Sequence, residues 1–344
     1  MAPPAACISG RWATGLLDVT SDLAEVDRGG RWAVAIPYSG APVCARFADW
    51  SSTSPGAAPT LWRGPPAAAW ATSLDQGEYV AAVELVRQEI AAGSVYQANL
   101  CRVLSADLPG VEAADIAGLH ALLRLGNPAP FGGFLRLPDH GVHIASASPE
   151  LFLEVRRDGR DRVVRSGPIK GTGRTTADLT AKDEAENVMI VDLVRNDLSR
   201  VCSVGSVTVP ALLQVQEHPG LVHLVSYVEG RLRPDTSWPG LIEAAFPPGS
   251  VTGAPKYSAL GLIDRLEPVP RSFYCGAFGW IDADTGEAEL AVAIRTFWRV
   301  DDTVYFGTGA GITWGSDAAA EWRETVLKAG RLIEVASGTW PVAS

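Results

Sequence analysis

Lys170 has the setting in this sequence that most directly suggests chemistry. It stands in the segment PIKGT at residues 168–172, which carries no other charged side chain. Proline restricts the backbone and glycine permits close approach, so we expect the amine on a defined platform. A partly desolvated lysine gives up its proton more easily and becomes a nucleophile. The alternative is an ordinary lysine on a surface loop.

Two predicted helices each carry a pair of carboxylates three residues apart. Asp183 and Glu186 form the first pair, and Glu321 and Glu324 form the second, so each pair shares one helical face. If the two faces meet, their hard oxygen ligands suit Mg²⁺. The segment GTGAGI at residues 307–312 precedes the second pair, and its backbone N–H groups could hold an anion beside the metal. Each pair alone also fits a solvated helix surface.

Polar side chains on predicted strands give further candidates for a binding site. Arg295 follows small residues on the second strand of a hairpin predicted over 276–297, where it could grip a carboxylate or face solvent. Gln97 and Asn99 share one face of a predicted strand, which fits a pocket wall and a solvated face equally well. His223, in the segment HLVS, is the histidine whose setting favours a pocket.

The elements that must position these residues alternate in blocks along the chain. A helix is predicted around residues 79–90 with a stop at Gly93, a second over 176–200, and a third that starts at Pro255. Ser316 is the expected N-cap of the last helix. These blocks predict an α+β fold in which helices cover sheets. The predicted strands between the helices span 95–104, 131–137, 142–146 and 151–155.

Composition excludes several classes of protein. The chain has 344 residues, 47% hydrophobic and 20% charged, without an apolar run long enough to cross a bilayer. Its amino terminus lacks the pattern of a secretory signal, so we expect a cytoplasmic protein. A formal net charge of −10 argues against nucleic acid and membrane as partners, because both would repel the average surface.

Five cysteines are scattered along the sequence and never paired as C-x-x-C, which argues against a disulfide framework and a zinc ribbon. None stands in a G-x-C-x-G setting, so the chain shows no sign of a glutaminase nucleophile. The segment GSVTGAPK at residues 249–256 superficially resembles a phosphate-binding loop. Its glycine spacing is wrong, and Pro255 lacks an amide that such a loop would use, so we expect no nucleotide there.

Taken together, the segments resemble the chorismate-utilising enzymes over residues 74–336. The resemblance implies two packed β-sheets with helices on the outside and an active site in the cleft between the halves. It implies a shortened segment 1–73 that completes the first sheet, a catalytic domain 74–336 and a tail 337–344. The motifs that carry it are SPELF at 148–152, PIKGT at 168–172, DLVRND at 192–197, HLVS at 223–226, GSVTGAPK at 249–256, AIRT at 293–296 and GAG at 309–311, with both acid pairs and Lys328.

The resemblance also implies a role for each candidate residue. The catalytic residues would be Lys170 as the nucleophile that adds to ring carbon C2, Glu150 as the acid that protonates the leaving C4 hydroxyl, and His223 on the C4 side. Mg²⁺ would be bound chiefly by Glu186 and Glu324, with Asp183 and Glu321 in support. The substrate-binding residues would be Arg295, Tyr274, Thr252, Gly253, Gly171, Thr172, Gly309, Ala310, Gly311, Gln97 and Lys328.

Members of the family differ in what attacks the ring. Isochorismate and salicylate synthases look to have a lysine base, which activates water, at the position where this chain has Gln97. Without that base, water is disfavoured as the nucleophile here. Lys170 favours the members that aminate chorismate to 4-amino-4-deoxychorismate for 4-aminobenzoate and folate formation. These use ammonia from a glutamine amidotransferase partner. The alternatives are a lyase that forms anthranilate and pyruvate, and a protein that binds chorismate without catalysis.

Overall fold

The computed structural model describes residues 2–54, 56, 61–110, 114–173, 175–218 and 221–339, with only the backbone at positions 172, 218 and 221. The described part contains six α-helices and eighteen β-strands. The helices are α1 Gln76–Ala91, α2 Ile116–Gly126, α3 Ala181–Ser199, α4 Trp238–Ala245, α5 Lys256–Leu266 and α6 Ala318–Ala336. The first nine strands are β1 Ala5–Ile8, β2 Arg11–Thr20, β3 Arg31–Ile36, β4 Val43–Ser51, β5 Ala71–Thr72, β6 Gln97–Asp107, β7 Phe131–Leu137, β8 Val142–Ser148 and β9 Leu151–Asp158. The others are β10 Asp161–Gly167, β11 Ile169–Gly173, β12 Thr208–His218, β13 Leu221–Arg231, β14 Gly253–Ala254, β15 Ala277–Asp282, β16 Glu287–Val292, β17 Thr296–Val300 and β18 Thr303–Ile312.

All the strand pairs are antiparallel, and they form two half-sheets joined through β2. The first half-sheet runs in the order β12, β13, β10 with β11, β9, β16, β15, β3 and β4. The second runs in the order β1, β7, β8, β17, β18 and β6, with β5 and β14 on the outer edge of β6. β2 pairs with β4 along its length and with β1 at its start, so the backbone ladder is continuous between the halves.

The side-chain alternation of β7 and β8 separates two of the three hydrophobic cores of the described residues. On β7 and β8, Leu135 and Ile144 pack with Val34 and Phe278 of the first half-sheet, so one core lies between the halves. Their neighbours Phe134 and Ala145 belong to a second core with residues of α2 and α6. α3 covers the outer face of the first half-sheet, where it contacts β13. The predicted fold of two packed sheets with helices outside is confirmed.

Most of the predicted elements are present, and their caps explain their boundaries. α1 begins after Asp75, whose side chain forms a capping box with Glu78, and Gly93 follows the helix at a φ of 77°. The helix predicted over 176–200 begins later, at Ala181, because Thr180 and Asp183 form the capping box that starts it. β1–β4 belong to the half-sheets, whereas the boundary placed at residue 73 stays a prediction.

Two local predictions were wrong. The second strand of the hairpin ends at Val292, and Arg295 has a φ of 52°, so strand alternation does not set its direction. The N-cap of α6 is Asp317, whose carboxylate accepts from the N–H of Ala320. Ser316 instead accepts a hydrogen bond from the N–H of Thr313. No helix among the described residues is both long enough and apolar enough to span a bilayer.

Candidate active site

Lys170 lies on an irregular strand whose geometry turns its side chain into the cleft. The register between β11 and β13 shifts between Ile169 and Thr172, which leaves Lys170 and Gly171 on a bulge. Gly171 has a φ of 86°, and a Cβ there would lie 2.9 Å from the Cβ of Asp183. The Lys170 side chain is only 14% exposed, and its Nζ lies 3.9 Å from Oε2 of Glu186. The structure therefore places this amine in a largely desolvated position rather than on an open loop.

The Lys170 amine reaches across the cleft to Gly311 on β18. A Cβ built on Gly311 would lie 3.3 Å from Nζ of Lys170, 2.5 Å from Nε2 of Gln97 and 3.4 Å from Oδ1 of Asn99. Gln97 is 1% exposed, and its Oε1 has no hydrogen-bond partner among the described residues. Gln97 and Asn99 are buried, which excludes the solvated face, and their place in a pocket wall stays a prediction. The absence of a side chain at position 311 is what allows these groups to converge.

Gly309 and Gly311 of β18 direct their backbone N–H groups away from β6. Asn99, the partner of Gly311, donates its N–H to the carbonyl of Thr252 at 2.7 Å, on the far side of β6 from β18. Gly311 therefore faces away from β6, since opposite residues of an antiparallel pair orient alike. The Gly309 carbonyl accepts from Nζ of Lys328 at 3.2 Å, which gives Gly309 the same orientation. β17 pairs with β18 only over residues 303–306, so both N–H groups face an edge that β17 leaves open.

Glu150 is a buried carboxyl beside three cationic groups. It is 4% exposed, and the Ser250 hydroxyl and the backbone N–H of Ile169 lie close to its carboxyl. Burial raises the pKa of Glu150, and the charges of Lys170 and Lys328 counteract this shift only in part. Burial also lowers the pKa of Arg295, against the effect of Glu150. The environment of Glu150 therefore favours the protonated form that a general acid needs.

The acid pair on α3 faces the acid pair on α6, and lysine side chains lie among the four carboxylates. Lys182 Nζ lies 3.7 Å from Oε1 of Glu186 and 3.1 Å from Oε1 of Glu321. Lys328 Nζ lies 2.6 Å from Oε1 of Glu324. Glu186 of α3 and Glu321 of α6 thus lie close enough together to contact the same cation.

The pKa values of the glutamates differ because their neighbours differ. Burial raises the pKa of Glu186, and the attraction of Lys170 and Lys182 offsets this only partly. The Glu324 side chain is 45% exposed, so its desolvation is only partial, and the attraction of Lys328 and the other lysines outweighs it and lowers the pKa. Glu324 therefore holds its negative charge to lower pH than Glu186 does.

The side chains of this cluster are of the type that binds a divalent cation, but they are not arranged as a complete set of metal ligands. In the part of the chain that the structure describes, no three His, Cys, Asp or Glu side chains are grouped as a metal-ligand set. Glu186 and Glu321 nevertheless bracket an ammonium group, which shows that one cation can sit between them. Glu324 has the carboxylate oxygens that Mg²⁺ prefers. Asp183 uses its carboxylate to accept from the N–H and hydroxyl of Thr180 as part of the cap of α3.

The other predicted residues surround this cleft or support it. His223 is buried on β13, opposite the backbone of Thr172, whose side chain lies outside the described residues. The Thr252 hydroxyl donates to the carbonyls of Pro248 and Gly249. A Cβ on Gly253 would lie 2.2 Å from the Gln97 carbonyl oxygen, so only glycine fits this contact with β6.

Tyr274 and Ala310 have surroundings that the sequence did not indicate. The Tyr274 ring lies against Gly307, where a Cβ would come within 2.0 Å of it, and burial raises the pKa of its hydroxyl. Ala310 lies between Gly309 and Gly311, so its backbone groups point towards Leu100 on β6. Its amide therefore belongs to the ladder, unlike those of its two neighbours. The roles assigned to the individual site residues stay predictions.

Two polar residues at this site were missed by the sequence reasoning. Lys182 lies four residues before Glu186, a spacing typical of a helical ion pair that could have revealed it. Ser250 lies in the segment GSVTGAPK, in which only Thr252 and Gly253 were predicted at the site. Its contact with Glu150 joins positions 100 residues apart, and spacing along the chain carries no signal for it.

Comparison with known proteins identifies the family. The sequence profile of the chorismate binding enzymes matches residues 42–334. The chain belongs to this family. The match begins earlier than residue 74, where the resemblance was placed from the motifs, and it includes β4.

Relatives in this family have two different names. The aminodeoxychorismate synthase of Streptomyces griseus is 40% identical over 280 residues, covering 78% of this chain and 37% of that protein. Aminodeoxychorismate synthase component 1 of Klebsiella aerogenes is 37% identical over 77% of this chain and 59% of its own length. Anthranilate synthase component 1 of Streptomyces coelicolor is 38% identical over 80% of this chain and 56% of its own length. The chain thus spans between about a third and three fifths of the length of these relatives.

Solved structures of chorismate enzymes share this fold. Anthranilate synthase component I of Streptococcus pneumoniae superposes with a TM-score of 0.75 at 26% identity, covering 89% of this chain and 80% of that one. A putative isochorismate synthase of Bacillus anthracis gives a TM-score of 0.80 at 24% identity, over 98% and 96%. The second likeness shows the fold alone.

Proposed function

We propose that this chain catalyses the Mg²⁺-dependent amination of chorismate to 4-amino-4-deoxychorismate, as an aminodeoxychorismate synthase component I. Ammonia would come from a glutamine amidotransferase partner, and the product would lead to 4-aminobenzoate and folate. The observation that carries the proposal is the position of Lys170. Its amine lies in a largely desolvated cleft between Glu186 and Gly311, and a buried acid, Glu150, shares that cleft.

In this proposal Lys170 acts as a nucleophile. Its neutral amine adds to C2 of the ring, the double bonds shift, and the C4–O bond breaks. Ammonia then forms a bond to C4 while the bond between the lysine nitrogen and C2 breaks. The net reaction replaces hydroxyl by amine and releases water, so no oxidant or reductant is needed.

Glu150 supplies the proton that makes the C4 hydroxyl leave as water. Its raised pKa supports this role, because burial shifts the carboxyl towards the protonated form that a general acid donates from. His223 and Thr252 belong to the proposed C4 side, where ammonia would enter. The ammonium formed at C4 on addition of ammonia can return a proton to Glu150, which restores the acid for the next turnover.

Carboxylate recognition is assigned to the open edge of β18 and to Arg295. The N–H groups of Gly309 and Gly311 face that edge, and an array of backbone donors without side chains suits an anion. Arg295 and Tyr274 would hold the enolpyruvyl carboxylate, and a guanidinium can do so with two parallel hydrogen bonds. Glu186, Glu321 and Glu324 would hold Mg²⁺. That ion, when bound, supplies positive charge to the ring carboxylate.

A second candidate is anthranilate formation with release of pyruvate. It is favoured by the relatives named anthranilate synthase, which are similar to this chain at nearly the same identity. Isochorismate formation requires a base that activates water. The Gln97 amide at the pocket wall has no basic nitrogen, which argues against that reaction.

One incubation separates these functions. The protein is supplied with chorismate, Mg²⁺ and ammonium, and the products are followed with and without an added lyase that converts 4-amino-4-deoxychorismate. We expect 4-aminobenzoate only when the lyase is present. Anthranilate fluorescence and pyruvate without the lyase would overturn the proposal in favour of the second candidate, and bound but unconverted chorismate would overturn both.

The covalent step has its own test. Intact-protein mass spectrometry after mixing with chorismate is expected to show an adduct in the natural protein and none in Lys170→Ala. An adduct of the same mass in Lys170→Ala would remove this lysine from the role of nucleophile.

A further inference from the structure

A largely buried ammonium group lies near the proposed acid, and its partner Asp197 lines the same cavity as Glu150. Lys256, at the start of α5, donates from Nζ to Oδ2 of Asp197 at 2.6 Å, to the Pro247 carbonyl at 2.9 Å and to the Ala245 carbonyl at 3.3 Å. An ammonium group has three protons, so these three acceptors satisfy it completely. Burying a lysine is unfavourable unless each proton is paired, and here each one is.

The lysine ties down the segment that carries Ser250. Residues 246–255 connect α4 to α5, and Lys256 fixes the beginning of this connection through the two carbonyls. Near its end, the Thr252 hydroxyl donates back to Pro248 and Gly249. Ser250 lies between these tethers, and its hydroxyl reaches the Glu150 carboxyl. The position of that hydroxyl therefore depends on Lys256.

A small cavity separates the ion pair from the acid. It has a volume of about 10 Å³, and Glu150, Ser250 and Asp197 are among the residues that line it. A cavity of this size is at the lower limit for holding one water molecule, so the packing beside Glu150 leaves little room for the segment to shift. The charged groups that face Glu150 are Lys170, Lys328 and Arg295 from the cleft, and Asp197 across the cavity.

We propose that Lys256 is a positioning residue for the amination reaction, which it serves by holding the hydroxyl of Ser250 on the carboxyl of Glu150. Asp197 orients Lys256 and balances its charge. Lys256 does not itself touch the substrate. The inference rests on the proposed function, because it takes Glu150 to be the acid, but it concerns a contact that exists before any substrate binds.

A double-mutant cycle tests whether Lys256 acts through Ser250. The variants are Lys256→Met, Ser250→Ala and the two combined, assayed for kcat and KM with chorismate at a fixed concentration of free ammonia. The Ser250 hydroxyl stabilises the carboxylate that Glu150 becomes when it gives up its proton, so losing this donor is expected to lower kcat roughly tenfold in each single variant. The double variant is expected to lose no more than Lys256→Met alone, with KM for chorismate unchanged, because both substitutions remove the same contact.

The protonation of Glu150 gives a second readout that needs no turnover. The carboxyl band of Glu150 is followed by infrared spectroscopy as pH rises in the substrate-free protein, and Glu150→Gln identifies the band. A donor stabilises the ionised carboxylate, so its loss raises the pKa. We expect Ser250→Ala and Lys256→Met both to move the titration of Glu150 to higher pH. If water instead entered the space beside Glu150 in Lys256→Met, the titration of Glu150 in that variant would move to lower pH.

Arg136→Met is the matched control. It removes another largely buried ion pair, Arg136 with Asp115 at 2.5 Å, which lies outside the cleft. Its side chains are 9% and 15% exposed, against 19% and 9% for Lys256 and Asp197. We expect a comparable loss of thermal stability, no shift in the titration of Glu150, and effects that add to those of Ser250→Ala.

Asp197→Asn covers the case in which Lys256→Met does not fold. It keeps the two carbonyl tethers of Lys256, so we expect a smaller loss of kcat, roughly threefold, that is again non-additive with Ser250→Ala. Additive effects, or a titration that moves to lower pH, would overturn the role of Lys256. A natural protein that does not aminate chorismate would overturn the proposed function, while the infrared titration would still decide on the contact.

Discussion

Replacing Gly311 with alanine is the smallest change that should block the site while leaving the fold intact. The new Cβ would lie 2.5 Å from Nε2 of Gln97, about 1 Å closer than a van der Waals contact permits, and 3.3 Å from Nζ of Lys170. The clashing atom ends a flexible side chain, so Gln97 can rotate away. It would then occupy space in the cleft that the proposed substrate needs.

The expected cost to stability is modest. Overpacking costs about 1–3 kcal/mol, and a Gly-to-Ala substitution in an ordinary backbone conformation returns about 0.4–1 kcal/mol through the unfolded state. Gly311 does not lie in the left-handed region, so no backbone strain adds to this. The expected effect on kcat/KM is larger, about 100-fold, because a displacement of about 1 Å at a reacting group costs roughly that much.

The assay compares kcat/KM for chorismate with the midpoint of thermal unfolding in Gly311→Ala. Gly330→Ala on α6 is the control, because a Cβ there meets nothing within 4 Å and alanine stabilises a helix by about 0.5–1 kcal/mol. We expect the control to keep full activity. A Gly311→Ala protein with near-natural kcat/KM would show that the proposed substrate does not occupy the space between Gly311, Gln97 and Lys170.

Three further predictions concern the charged residues. Glu324→Ala is expected to abolish the calorimetric heat of Mg²⁺ binding and the Mg²⁺-dependent turnover, whereas exposed Glu334→Ala on the same helix should change neither; retained Mg²⁺ binding would contradict the assignment. Lys170→Arg is expected to bind chorismate but to lose at least about 1,000-fold in kcat, because a guanidinium stays protonated; substantial turnover would contradict nucleophilic attack. Burial, aided by Arg124, lowers the pKa of His120 to about 4, so the unfolded chain binds a proton that the folded chain does not as pH falls from 6.5. The free energy of unfolding should fall by about 3 kcal/mol between pH 6.5 and about pH 4. Denaturant titrations should show a smaller fall in His120→Leu, whereas a variant of exposed His140 should show the full fall.

Local patterns predicted those features that neighbouring residues determine. The helical spacing at α1 and the stop at Gly93 depend on residues within one or two turns, and both are confirmed. The three-residue interval between Glu321 and Glu324 likewise placed both carboxylates on one face of α6. The packing of sheets under helices also followed from the alternation of strands and helices along the chain.

Features that depend on distant contacts were not accessible in this way. Arg295 was assigned to a strand because nothing in its neighbours indicates the break at its positive φ. The outward amides of Gly309 and Gly311 follow from the register with β6, which lies about 200 residues earlier. Lys182 is different, because a lysine four residues before Glu186 on one helix is a regular ion-pair partner and was predictable from local spacing.

The meeting of α3 and α6 has a consequence for which ligands can be bound together. Three lysines, Lys170, Lys182 and Lys328, accompany the carboxylates of Glu186, Glu321 and Glu324, so the formal charges of this cluster cancel before Lys170 gives up its proton to act as a nucleophile. A lone dianion or a lone divalent cation would upset that neutrality. One of each leaves it unchanged, so the two should enter with mutually reinforcing affinities, and their joint uptake should vary little with ionic strength.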